Sequence, residues 1–215
     1  IKKKKISLIR LFYILVSLIM DNNMNYQYLF DILKEKKSSD KIFHIINNQE
    51  QIEKLNFNNI QGPKLIEFVL REPNSLERLP DLAKLQQQKN NFILTVGTIL
   101  TRDDVDYCLS EGVKILFSPH FDSSLFHYCC LRKCILIPGV YTPTEVMEAY
   151  KNGARVLKFF PSNSESSLTI LQQFNHLFSR LENIQFIASG GINESNLNRI
   201  LSFENVLAVG SSRLK

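Results

Sequence analysis

The run Arg155-Val156-Leu157-Lys158-Phe159-Phe160-Pro161 carries the decisive reading of this 215-residue chain. It is a short apolar stretch of strand length with one lysine at its centre, closed by a proline that cannot continue a ladder. Runs of the same kind recur along the chain: Lys41–Asn47, Lys64–Leu70, Phe92–Thr98, Lys114–Ser118, Cys134–Val140, Ile184–Ser189 and Val206–Gly210. About ten to fifteen residues of helical spacing separate most of them, as parallel βαβ units require. Eight strands alternating with helices predict a closed (β/α)8 TIM barrel, because closure leaves no strand edge unpaired.

Local signals agree with those boundaries. Thr142-Pro143-Thr144-Glu145 reads as a capping box with Pro at the first helical position, and Gly153 as its stop. Thr101 and Asp104 repeat the start, and Gly112 the stop. A helix over Tyr26–Lys37 is expected to cover the bottom of the barrel. The body, 21–215, reads as one domain, with no linker or low-complexity tract dividing residues 41–215. It ends after the eighth strand, so an eighth helix is missing and a C-terminal truncation is expected. Residues 1–20 pair Lys2–Lys5 with an apolar run that is short for a bilayer span and lacks a small-residue cleavage site. They read as a signal-like or non-native extension, with Met20 or Met24 as the start.

Charge excludes one class of partner. The formal net charge is +5, from 26 basic and 21 acidic residues. Lys2, Lys3, Lys4, Lys5 and Arg10 supply that excess, and the body without them is neutral. Neither nucleic acid nor a membrane is expected as a partner. Cys108, Cys129, Cys130 and Cys134 lack both a disulfide framework and a C-x-x-C pair. Buried thiols in a reduced, cytoplasmic protein are the expectation, with no metal and no cofactor.

Strand side chains alternate between faces. Lys158 therefore shares a face with Val156 and Phe160, and Glu67 shares one with Leu65, Val69 and Arg71. An ionisable side chain in an apolar strand requires a partner or a route to water. Alternation alone leaves open an interior salt bridge, a lysine reaching solvent along its stem, or a reactive pair.

Several segments, in order, resemble the KDPG/KHG aldolase family (2-keto-3-deoxy-6-phosphogluconate and 4-hydroxy-2-oxoglutarate aldolases). They are Leu65-Ile66-Glu67-Phe68-Val69-Leu70-Arg71, Val96-Gly97-Thr98-Ile99-Leu100, Ser118-Pro119, Ile137-Pro138-Gly139-Val140 and Thr142-Pro143-Thr144-Glu145. Lys158-Phe159-Phe160-Pro161, Gly190-Gly191-Ile192 and Val209-Gly210-Ser211-Ser212 complete the series. The resemblance implies a class I aldolase, in which Lys158 forms a Schiff base with a 2-keto acid and Glu67 moves protons. It implies that Arg71 and Thr98 hold the substrate carboxylate and that Pro119 shapes the pocket. Ser189, Gly190, Gly191, Ser211 and Ser212 would bind the phosphate end. It also implies a homotrimer. An unperturbed lysine, with a pKa near 10.4, is almost wholly protonated at neutral pH. Such chemistry therefore needs apolar surroundings that disfavour the cation.

The sequence departs from the family after the lysine. Ser162-Asn163-Ser164-Glu165-Ser166-Ser167 has no glycine, and Glu165 is expected to repel a phosphate dianion. His120 stands where a glycine is common, and the first strand lacks a frequent basic residue. A weakened phosphate site is therefore expected. The competing expectation is a non-catalytic or non-aldolase phosphate-binding barrel, similar to thiamine-phosphate synthase.

Overall fold

The structure, a computed structural model, describes residues 26–34, 36–37, 40–54 and 63–214. The extension at 1–20 lies outside the described residues. A helix α1 covers 26–34. The strands are β1 (Ile42–Ile46), β2 (Lys64–Val69), β3 (Phe92–Gly97), β4 (Ile115–Phe117), β5 (Ile135–Ile137), β6 (Gly139–Val140), β7 (Val156–Phe159), β8 (Gln185–Ser189) and β9 (Val206–Ser211). Between them lie α2 (Glu50–Glu53), α3 (Leu79–Lys89), α4 (Arg102–Ser110), α5 (Ser123–Leu131), α6 (Pro143–Lys151), α7 (Glu165–Leu177) and α8 (Glu194–Leu201).

The sheet is parallel, in the order β5-β4-β3-β2-β1-β9-β8-β7-β6. Its two ends, β5 and β6, are pieces of the single run expected over Cys134–Val140. Pro138 splits that run because it has no N–H to give the ladder. Its carbonyl still accepts from Lys158 N at 2.8 Å, so the sheet curls back on itself as a (β/α)8 TIM-type barrel.

Side-chain parity sorts the core into two clusters. The barrel interior holds Phe43, Leu65, Phe117, Ile137, Val156 and Ile187, closed from below by Tyr26, Leu29 and Leu33 of α1. The buried Tyr26 hydroxyl donates to Leu136 O at 3.2 Å, giving its polar end a partner. The opposite parity, with Ile66, Phe68, Val96, Leu116 and Phe159, packs outward against helix faces such as Leu168, Leu171 and Phe174 of α7.

Helix ends follow the expected chemistry. Thr101 and Thr142 form capping boxes with Asp104 and Glu145. Gly112 and Gly153 turn the chain at φ of 80° and 102°. No described helix is long and apolar enough to cross a membrane. All four cysteines are buried, and no cluster of three or more potential metal ligands occurs among the described residues.

Candidate active site

β2 is buried at all six positions, so Glu67 has no route to water within its strand. Glu67 is 1% and Lys158 4% exposed. Lys158 follows Val156 on the interior parity of β7, and Glu67 follows Leu65 on that of β2. Inside the barrel the Lys158 Nζ donates to Glu67 Oε1 at 2.7 Å. Removing either partner would strand a charge in a low-dielectric interior, whereas together they satisfy each other. The ring centroids of Phe117 and Phe160 lie 5.2 and 5.7 Å from Nζ, within reach of a cation–π contact.

Glycines make this packing possible. A side chain at Gly97 would overlap the Glu67 carboxylate, and one at Gly139, beside Lys158, would overlap the Pro119 carbonyl. Sequence reading quoted both glycines but assigned them no role. Thr95, also facing inward, donates to Ile66 O at 2.9 Å and so braces β2 against β3.

Above the ion pair, at the carboxyl ends of the strands, lies a cavity of about 290 Å³. Val69 and Phe160 line it, each two positions beyond Glu67 and Lys158, neither of which does. The cavity therefore begins one side-chain layer above the ion pair. Of the residues expected at a substrate site, Arg71, Ser189, Gly190, Gly191, Ser211 and Ser212 line it. Thr98 and Pro119 do not. Thr98, at φ 69°, follows β3 as the chain turns away, and Pro119 packs on Gly139. Arg213 also lines the cavity, and sequence reading did not single it out.

The hydroxyls differ in what they can offer. Ser189 Oγ is buried and has no hydrogen-bond partner among the described residues. Ser211 Oγ donates to Ile192 O at 2.8 Å and accepts from the amides of Arg213 and Leu214. It is thus engaged within the fold. Gly190 and Gly191 turn at φ of 86° and 81°, where a side chain would meet Phe160 or Asn163.

The serine-rich segment after Pro161 folds onto this turn: Ser162 N donates to the carbonyls of Ser189 and Gly190. Glu165 does not line the cavity and pairs with Arg199 at 2.7 Å. The expected repulsion of an anion by Glu165 is thereby blunted, because its charge is turned to α8 and partly compensated.

A buried amine and carboxylate in contact, beneath a cavity with cationic walls, can exchange a proton and present a neutral nucleophile to an anionic carbonyl compound. The family model for KDPG and KHG aldolase matches residues 33–215. The chain belongs to this aldolase family. It is 27% identical over 153 residues to the KHG/KDPG aldolase of Escherichia coli, covering 71% of this chain and 69% of that protein. It is also 27% identical over 131 residues to the 2-dehydro-3-deoxy-phosphogluconate aldolase of Treponema pallidum, and that match spans 61% of each chain. Among solved structures, the KDPG aldolase of Legionella pneumophila superposes with a TM-score of 0.68 at 25% identity, covering 81% of this chain and 84% of that one. That structure holds pyruvate captured at low pH as a covalent carbinolamine.

Proposed function

We propose that this member of the KDPG/KHG aldolase family is a class I aldolase. It would cleave a 2-keto-3-deoxy sugar acid, with or without a 6-phosphate, or 4-hydroxy-2-oxoglutarate. The products would be pyruvate and an aldehyde or glyoxylate. The observation that carries the reading is the 2.7 Å contact between Lys158 Nζ and Glu67 Oε1, buried beneath the cavity.

The reaction follows from that contact. Glu67 takes a proton from the Lys158 ammonium, which neutralises both groups where charge is poorly solvated. The free amine attacks C2 of the keto acid to give a carbinolamine. Glu67 returns its proton to the departing hydroxyl, water leaves, and an imine remains on Nζ. As the C3–C4 bond breaks, its electron pair flows into the positive imine nitrogen, and the C4 hydroxyl proton passes to Glu67. Protonation of the enamine at C3 and hydrolysis release pyruvate and regenerate the amine. Arg71, at the cavity wall, holds the keto-acid carboxylate.

One feature favours a second reading, a barrel that binds an anion without cleaving it. The segment after Pro161 packs against Gly191, and Phe160 lines the cavity whereas Lys158 does not. Borohydride reduction in the presence of pyruvate separates the two readings. The aldolase becomes covalently labelled on Lys158 and loses activity, and peptide mapping locates the adduct. An unlabelled, fully folded protein would establish the binding reading instead.

A further inference from the structure

We infer that Arg213 selects the substrate by its far end, receiving a second anionic group on the 2-oxo acid. This inference rests on the aldolase reading and adds to that same site a specificity-determining residue, Arg213, which lines the cavity beside the serines and glycines.

Arg213 follows β9, and Arg71 follows β2. In the sheet, β1 stands between those two strands. Two strand spacings, about 10 Å, therefore separate the backbones that carry the two arginines. Both side chains line the cavity, with Ile45 and Ile46 of β1 forming the wall between them. Neither arginine has an ion pair among the described residues. If Arg71 meets the carboxylate beside the ketone, the substrate extends away from it toward Arg213.

The backbone at Arg213 is held in place before any ligand arrives. The buried Ser211 hydroxyl accepts from Arg213 N at 3.0 Å and from Leu214 N at 3.3 Å, while donating to Ile192 O. Leu214 is itself buried, and its carbonyl accepts from His44 Nδ1 at 3.2 Å. A guanidinium on a fixed stem loses less freedom on binding, and its planar fork suits both carboxylate and phosphate oxygens.

An independent observation also calls for a ligand. Ser189 is 1% exposed and lines the cavity, and its Oγ has no hydrogen-bond partner among the described residues, so a bound oxygen would relieve an uncompensated buried hydroxyl. The local charge is compatible with an anion there. Among the described residues Glu72 is the one carboxylate lining the cavity, against two guanidiniums, and Glu165 is turned to Arg199. In this chain a side-chain cation thus strengthens a region where the sequence led us to expect a weakened anion site.

The test uses three substrates on the full chain: the 6-phosphorylated 2-keto-3-deoxy acid, 4-hydroxy-2-oxoglutarate, and the unphosphorylated 2-keto-3-deoxy sugar acid. Arg213→Gln should lower kcat/KM for the preferred of the two substrates that are anionic at both ends about 10- to 100-fold, mainly through KM, as loss of a charged hydrogen bond predicts. The unphosphorylated sugar acid should lose at least tenfold less. Which of those two substrates loses more identifies the far group as phosphate or carboxylate. Arg180→Gln, the same charge change on an exposed residue beyond α7, should leave these ratios as they are. Arg213→Gln with substrate ratios within twofold of wild type would overturn the inference alone. A wild-type chain that pyruvate and borohydride do not label would overturn the aldolase reading, and this inference with it.

Discussion

Lys158 and Glu67 lie 91 positions apart in sequence and 2.7 Å apart inside the barrel, each almost wholly sealed from water. Neither could occupy its place alone, because an isolated charge in that interior costs several kcal/mol. Lys158→Met should therefore destabilise the fold by about 3–5 kcal/mol at neutral pH, by leaving the Glu67 carboxylate without a partner. The double variant Lys158→Met/Glu67→Leu should recover most of that loss while remaining inactive. Urea denaturation of wild type, single and double variants checks this. A double variant no more stable than the single one would mean that the pair does not balance itself.

Gly97 lies where any side chain would overlap the Glu67 carboxylate. Gly97→Ala should displace that carboxylate and so resemble Glu67→Gln, for which loss of proton transfer predicts a fall in kcat of about 10²- to 10⁴-fold. Labelling with pyruvate and borohydride should persist in Glu67→Gln, more slowly, and vanish in Lys158→Ala. Steady-state kinetics on Gly97→Ala at wild-type level would show that the carboxylate position does not matter.

Ser189 offers a separation of binding from stability. Its hydroxyl is buried without a partner among the described residues, so Ser189→Ala removes an unsatisfied group and should leave the unfolding free energy unchanged or slightly raised. Substrate binding should weaken about 5- to 10-fold, as for one neutral hydrogen bond. A loss of more than about 2 kcal/mol in stability, read by thermal and urea unfolding, would indicate that the hydroxyl serves the fold instead.

His44 provides the pH dependence. Burial, reinforced by the nearby Lys64 charge, pushes its imidazole down to about 4. The unfolded chain binds this proton near pH 6.5, so the native state binds fewer protons between the two values. The contribution of His44 is present above about pH 6.5 and is lost as pH falls toward 4. From pH 7 to pH 5 the loss from this group is about 2 kcal/mol. His44→Gln should flatten the stability curve across that window. An acid limb equally steep in the variant would assign the effect to other groups.

The sequence by itself determined the alternation of strands and helices, because periodicity and capping are local. Thr142 with Glu145 and Thr101 with Asp104 act within a single turn, so their partners are legible side by side. Parity likewise placed Lys158 with Val156 and Glu67 with Leu65 before any contact was known. Even so, alternation could not choose between an interior pair and a lysine reaching solvent, and only resemblance joined the two residues before the fold did. Closure of the barrel brought β2 and β7 to face each other, and that depends on the whole register of the sheet.

The tertiary structure alone decided the rest. It broke the run Cys134–Val140 at Pro138, kept Thr98 and Pro119 off the cavity wall, and paired Glu165 with Arg199. It also turned the Ser211 hydroxyl inward and set Arg213 on the cavity wall. A charged or hydroxyl side chain has the same letter whether it meets a ligand, a backbone group or an opposite charge. Which of these it meets is a matter of distances of a few ångströms, set by chain segments remote in sequence, and local pattern carries no record of them.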